Sequence, residues 1–188
     1  ADEFWPNRAK MQSELIGLEA AVERAAGMRG PVALTDAADA TSSGASGNSN
    51  AIVAEMIRQG LTHTVLAPIA DPPLAELAHR SGVGTRIQAK AGGSLDQRYT
   101  PLEMEMEVVS LSDSPFDLES WVFRQIPGKS AVLRSGNLTL VVTTNPVMHV
   151  DRALFLANGL DPKDFHSTVV KSPHCEPQFF DDWVEANL

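Results

Sequence analysis

Apolar residues recur along this chain at helical spacing in some segments and at strand spacing in others. Leu15, Leu18, Val22 and Ala25 fall one helical turn apart behind Ser13, an N-cap residue, and Gly27 and Gly30 close the run. Residues 31–35 (Pro-Val-Ala-Leu-Thr) are a short apolar run of the kind that forms a buried strand. After a stretch of small residues from 40 to 50, Ile52, Val53, Met56 and Ile57 make a helical stripe that stops at Gly60. Residues 64–69 read as the next buried strand. Asp71-Pro72 then sets a capping carboxylate before a proline at the first helical position, and Leu74, Leu77 and Ala78 carry that helix to Gly82. Residues 31–82 thus predict β-loop-α-β-α, parallel strands joined by right-handed crossovers.

The second half changes period. Leu102, Met104, Met106 and Val108 alternate with Glu103, Glu105 and Glu107, the pattern of a half-exposed strand with a solvated acidic face. Residues 121–126, 131–133 and 138–143 are further strand candidates, with Pro127-Gly128 and Ser135-Gly136-Asn137 as turns. Asp161-Pro162 starts a short turn, residues 168–171 form a strand, and residues 178–188 are expected to be a terminal helix. The fold class this predicts is α/β: a mixed β-sheet flanked by helices, with an antiparallel meander inserted in the second half. A single domain over 1–188 is expected, with residues 1–12 as an interdomain linker helix.

Composition narrows the function. With 188 residues, 43% of them hydrophobic, the chain can bury a full core. One cysteine, Cys175, leaves no internal disulfide, reads as a small buried filler and fits a reducing, cytoplasmic setting. A net charge of −9 argues against nucleic acid and against an anionic membrane surface. The charge is uneven: residues 1–94 carry 8 basic and 10 acidic side chains, residues 95–188 carry 7 and 14. No apolar run approaches the roughly 20 residues of a membrane-spanning helix.

Two segments can carry chemistry. In the first, Asp36 and Asp39 precede a loop holding Ser42, Ser43, Gly44, Ser46, Gly47, Asn48 and Ser49, between a predicted strand and a predicted helix. Ligands of open α/β sheets bind at that kind of position. Two carboxylates there could orient water, hold a cation or accept hydrogen bonds, and a capped βα loop bonded to its own backbone is the bland alternative. Asn48 stands where a Walker A loop needs Lys, and no G-x-G-x-x-G is present. In the second segment, Lys171, Ser172 and His174 lie where a strand ends. There the alternative is an N-capping serine and a surface histidine. No two of the five histidines (His63, His79, His149, His166, His174) have the spacing of H-E-x-x-H, so a zinc site complete within this chain is poorly supported.

The order of these segments resembles the C-terminal domain of the MlrC-type (microcystinase C) family of zinc metallopeptidases. Those domains open with a D-x-x-D-N-P-G-G-G-x-x-G-D-S loop, matched here by Asp36, Asp39, Gly44, Gly47 and Ser49. They close with V-V-K-S…H, matched by Val169, Val170, Lys171, Ser172 and His174. Gly159-Leu160-Asp161-Pro162 is similar to a G-I-D-P segment between them, and Glu3-Phe4-Trp5 to the way such domains begin. Ala40-Thr41, Ser42-Ser43, Asn48 and Cys175 depart from the pattern, and Asn48 removes a carboxylate.

The resemblance implies the second domain of a two-domain enzyme. Zinc is expected to be held mainly by an N-terminal domain upstream of Ala1, with no metal ligand in this chain. Asp36, Asp39 and His174 are then the catalytic candidates, and Gly44, Gly47, Asn48, Ser49, Lys171 and Ser172 the substrate-binding ones. The implied partners are that N-terminal domain and a small peptide-like substrate, with a homodimer as a further expectation. Two other readings stand beside it: a structural interdomain or dimerisation domain, and a regulatory domain binding a small anion through the glycine-serine loop.

Overall fold

A computed structural model of the chain describes residues 3–11, 15–173 and 177–188. Its helices are α1 (Phe4–Asn7), α2 (Leu18–Ala26), α3 (Ala51–Arg58), α4 (Pro72–Ser81) and α5 (Ala153–Ala157). Its strands are β1 (Val32–Thr35), β2 (Val65–Ala70), β3 (Arg86–Ala91), β4 (Leu102–Ser112), β5 (Phe116–Asp117), β6 (Arg124–Gln125), β7 (Ser130–Ser135), β8 (Leu138–Thr143), β9 (Ser167–Val170) and β10 (Ala186–Asn187). Among the described residues, eight strands form one mixed sheet in the order β10-β1-β9-β2-β8-β7-β4-β3, and β5 pairs with β6 in a small antiparallel sheet. The strands from β10 to β8 run parallel, while β7, β4 and β3 add antiparallel edges. The molecule is therefore α/β.

Both faces of the sheet are covered, so β1, β2, β8 and β9 are buried along almost their whole length, and every residue of β2 is buried. Val65, Ala67 and Ile69 of β2 pack with α2, α3 and α4 through Val22, Val53, Leu74 and Ala78. Leu66 points the other way, into a core with Leu154 and Phe155 of α5. A third cluster joins Ala33 and Val170 to Phe179, Phe180 and Trp183. The glutamates of β4 alternate outward as the period predicts, with Met106 and Val108 buried.

Several expectations need correction. Residues 178–188 form no terminal helix: a 3₁₀ turn (Pro177–Phe179) leads into β10, which lies parallel to β1. The free edge of β1 needs backbone partners, and β10 supplies them through Thr35 N to Leu188 O (2.7 Å) and Leu188 N to Ala33 O (2.9 Å). Phe179, Phe180 and Trp183 of this segment are instead the buried aromatics of the third cluster. The first long helix starts at Leu18 with Gly17 as its N-cap, leaving Leu15 outside it and exposed; Ser13 lies outside the described residues. Residues 121–126 do not join the meander. Only Arg124–Gln125 is strand, paired with β5, while Val122, Phe123 and Ile126 face solvent. β3 and α5 had no counterpart in the sequence reading. β9 also sits between β1 and β2, so the β1-α3-β2 crossover spans a strand that arrives some hundred residues later.

Candidate active site

Because β1, β2, β8 and β9 run parallel, their carboxyl ends share one edge, and each hands its chain to a polar residue there: Asp36, Asp71, the 144–149 loop and Lys171. Asp36 caps the turn after β1, its Oδ1 accepting from Asp39 N at 3.1 Å. That turn swings Asp39 inward until it is fully buried. Its Oδ1 accepts from Gly47 N (3.0 Å), its Oδ2 from Ser49 N (2.7 Å) and from Lys171 Nζ (2.8 Å). Lys171, 1% exposed, also donates to Ser49 O at 2.7 Å and lies 3.7 Å from Asp36 Oδ2. One buried ion pair thus ties the two sequence motifs together, with the remaining lone pairs and protons largely satisfied, as a buried pair requires.

The glycine-serine loop wraps this pair. Gly47 has φ +71°, and a methyl group there would come within 2.7 Å of Thr41 Cγ2, so the loop closes only on glycine. Asn48 is buried, its Nδ2 donating to Ala70 O (2.6 Å) and Ser94 Oγ (3.2 Å) while its Oδ1 accepts from Leu95 N (2.8 Å). An aspartate here would set a carboxylate against the Ala70 carbonyl, so the amide suits this environment. The loop's N–H groups are already spent: Gly47 and Ser49 on Asp39, Asn48 on Ser46 Oγ (3.3 Å). Gly44 (φ +88°) is exposed, with no atom within 4 Å of where a Cβ would stand.

The structure thus brings together Asp36, Asp39, Gly47, Ser49 and Lys171, with Asn48 bonded one layer behind them. Ser172 is buried beside Lys171. His174 and Cys175 lie outside the described residues. Asp36 keeps the most accessible carboxylate of the cluster, its side chain 10% exposed.

Two groups at this edge were not recognised from sequence. Asp71, read there as a helix cap, does accept from Leu74 N (3.3 Å), but also from Gly92 N (2.9 Å) and Ser94 Oγ (2.9 Å). Burial raises its pKa above the ordinary 3.8, against the pull of those hydrogen bonds from Ser94, Gly92 and Leu74. His149 is also buried. Desolvation, then the Lys171 charge, lower its pKa to about 3, Asp39 acting in the opposite sense. Nothing local in the sequence marks either role, since Gly92 and Ser94, like the charges acting on His149, lie far along the chain.

Among the described residues at this edge, the donor set does not fit a metal. The cation that neutralises Asp39, and lies nearest Asp36, is the Lys171 ammonium, and no group of three or more His, Cys, Asp or Glu side chains among the described residues is arranged to hold an ion. No described helix is long and apolar enough to cross a membrane.

Comparison with known proteins agrees with this architecture. The chain is 25% identical over 144 residues to microcystinase C of Sphingomonas sp., an alignment covering 76% of this chain and 28% of that protein. The crystal structure of a protein described as a "putative metallopeptidase" from Mesorhizobium sp. BNC1 superposes with a TM-score of 0.90 over 100% of this chain, at 24% identity. It shares the fold, and the chain spans 39% of its length. The chain therefore spans well under half the length of these relatives. Residues 34–187 match the family model for the MlrC C-terminus, and the chain belongs to that family of C-terminal domains.

Proposed function

We propose that this chain is the C-terminal domain of an MlrC-like zinc metallopeptidase, a hydrolase of peptide-like amides, and that its strand-end edge lines an interdomain cleft. The observation that supports this reading best is the convergence of Asp36, Asp39 and Lys171 at the carboxyl ends of parallel strands, where open α/β sheets bind ligands. Relatives named for metallopeptidase and microcystinase activity supply the reaction class. Zinc, in this reading, is held by the N-terminal domain, and no step is assigned to it here. The compartment is the cytoplasm.

The residues divide by what they touch. Asp36, and His174 in the segment after β9, meet substrate. Asp39, Lys171, Gly47, Asn48, Ser49 and Ser172 hold the Asp36 loop in shape, and Gly44 at the exposed turn leaves room for the ligand. A regulatory anion site in the loop is not favoured, because the N–H groups it would use are bonded to Asp39 and Ser46. A purely structural role in joining domains is the second reading, favoured by the exposed Val122, Phe123 and Ile126 beside this edge.

The test is an amidase assay on the full-length protein, with a chelator and then added zinc. Asp36→Asn is expected to lower kcat/KM by roughly 100-fold or more with folding unchanged. Wild-type kinetics in that variant would remove this domain from the chemistry and leave the structural reading.

A further inference from the structure

The loop between β3 and β4 is clamped against the glycine-serine loop and the start of α4. Gly92 N and Ser94 Oγ each donate to Asp71 at 2.9 Å, and Leu95 N donates to Asn48 Oδ1 at 2.8 Å. Asn50 Nδ2 ties the two ends of the loop together, donating to Ala91 O (2.9 Å) and Thr100 O (2.8 Å). What the loop presents to solvent is Arg98, its side chain 72% exposed. Asp96 fixes the guanidinium: Nε donates to Oδ1 (3.0 Å) and Oδ2 (2.9 Å), and Nη2 to Oδ2 (2.6 Å). The Tyr99 ring centroid lies 5.6 Å from Cζ. The hydrogen bonds from Asp96, then its charge, raise the Arg98 pKa above the ordinary 12.5. Tyr99 and the buried Asp39 act in the same sense, so Arg98 is within reach of the Asp39 charge.

A guanidinium carries five N–H donors in a plane and accepts nothing. Asp96 takes the side formed by Nε and Nη2. Both N–H groups of Nη1 and the second of Nη2 have no partner among the described residues. They form the other fork of the group, two parallel N–H bonds at the spacing of the two oxygens of a carboxylate. Lys171 has no such reserve, being buried with its ammonium spent on Asp39 and Ser49 O. The Asp36 cluster sets two carboxylates against that one ammonium, so an acid placed on it is repelled. An acid placed on the open fork of Arg98 is held. Because Asp96 offsets the charge of Arg98, the recognition comes from the geometry of the fork more than from net charge.

We infer that Arg98 is a specificity-determining residue of the cleft, taking a carboxylate of a peptide-like substrate on its open fork while Asp96 holds the other side. The inference rests on the reading above in placing a peptide-like substrate at this edge. The 92–101 loop becomes a wall of the cleft, joined to the Asp36 loop through Asn48.

The test uses full-length protein labelled with ¹⁵N-arginine, Arg98→Lys identifying the guanidinium signals. N-acetyl-glutamyl-alaninamide carries an acid on its side chain, N-acetyl-glutaminyl-alanine carries one at its terminus, and N-acetyl-glutaminyl-alaninamide carries neither. At least one acidic probe is expected to shift the Arg98 signals, the larger shift naming the source of the carboxylate, and the neutral probe to leave them in place. Arg86, bridged to Glu105 with the same 72% exposure, is the internal control and should not move. In the amidase assay, Arg98→Leu is expected to lower the acidic-to-neutral ratio of kcat/KM about tenfold, chiefly through KM, and Arg98→Lys to recover part of it. Arg98 signals that stay in place with both acids overturn the inference, as does equal movement of Arg86. An unchanged ratio in Arg98→Leu overturns it too. Should the wild-type protein cleave no amide, the hydrolase reading fails, and the guanidinium shifts alone decide the role of Arg98.

Discussion

With Nζ of Lys171 held between Asp39 and the Ser49 carbonyl, Lys171→Met would leave the Asp39 carboxylate buried and uncompensated. Removing one partner of a buried pair costs about 3–5 kcal/mol, so urea denaturation of this variant should show a loss of that size. The double variant Lys171→Met/Asp39→Leu should recover part of it, because no lone charge remains buried. Gly47→Ala should cost more than Gly44→Ala. Both positions need positive φ, worth about 1 kcal/mol or more, but only Gly47 also meets Thr41 Cγ2 at 2.7 Å.

His149 and Asp71 bend the pH dependence of stability in opposite ways. The unfolded imidazole takes up a proton near pH 6.5, while the native one waits until about 3. His149 therefore favours the folded state fully above pH 6.5 and loses about 1.4 kcal/mol per pH unit as pH falls toward 3. His149→Phe should flatten the stability profile between pH 6.5 and 4. Asp71 has its folded pKa above 3.8, so its contribution is best at low pH and declines as pH rises through the shifted value. Denaturation of Asp71→Asn across pH 4–7 should lack that decline, whatever it loses from the Gly92 contact.

Among the elements, α3, β2 and α4 were legible because each is bounded by local signals. Gly60 lies just beyond α3, Asp71 and Pro72 start α4, and Gly82 ends it. The alternation of Arg86, Gln88 and Lys90 with Ile87, Ala89 and Ala91 also marks β3, and could have been read the same way. The last eleven residues form no helix because their aromatic rings pack against strands remote in the chain, which local sequence does not show. Phe179, Phe180 and Trp183 are buried against Ala33 and Val170, and Trp183 Nε1 donates to Phe179 O at 2.7 Å. Trp183→Ala should cost about 3–5 kcal/mol and free the β1 edge. Hydrogen exchange would show this as faster exchange at the Thr35 and Leu188 amides, which bond across β1 and β10.

At the scale of the whole molecule, the chain buries three apolar clusters against the faces of its sheet, while its candidate site lies at one edge. The exposed Val122, Phe123 and Ile126 sit beside that edge, where Asn145 Nδ2 donates to Ile126 O at 3.1 Å. If they pack against the upstream domain, Phe123→Asp should weaken the association of separately expressed domains and leave the stability of this one within about 0.5 kcal/mol, as for an ordinary surface substitution. Titration calorimetry would measure the first quantity and urea denaturation the second.

The sequence by itself determined the class of fold, the ends of α3 and α4, the hairpin turn at Gly136 and the two motifs that meet at the site. Those depend on residues a few positions apart, whose spacing, caps and backbone freedom act locally. The tertiary structure decided which distant groups became partners. It set β9 between β1 and β2, and it joined Lys171 to Asp39 across 132 positions of chain. It turned the loop's N–H groups inward and left Nδ1 of His149 with no partner among the described residues. A buried charge or ring nitrogen takes its chemistry from whatever surrounds it in space, and nothing within a few residues of Lys171 or His149 specifies those surroundings.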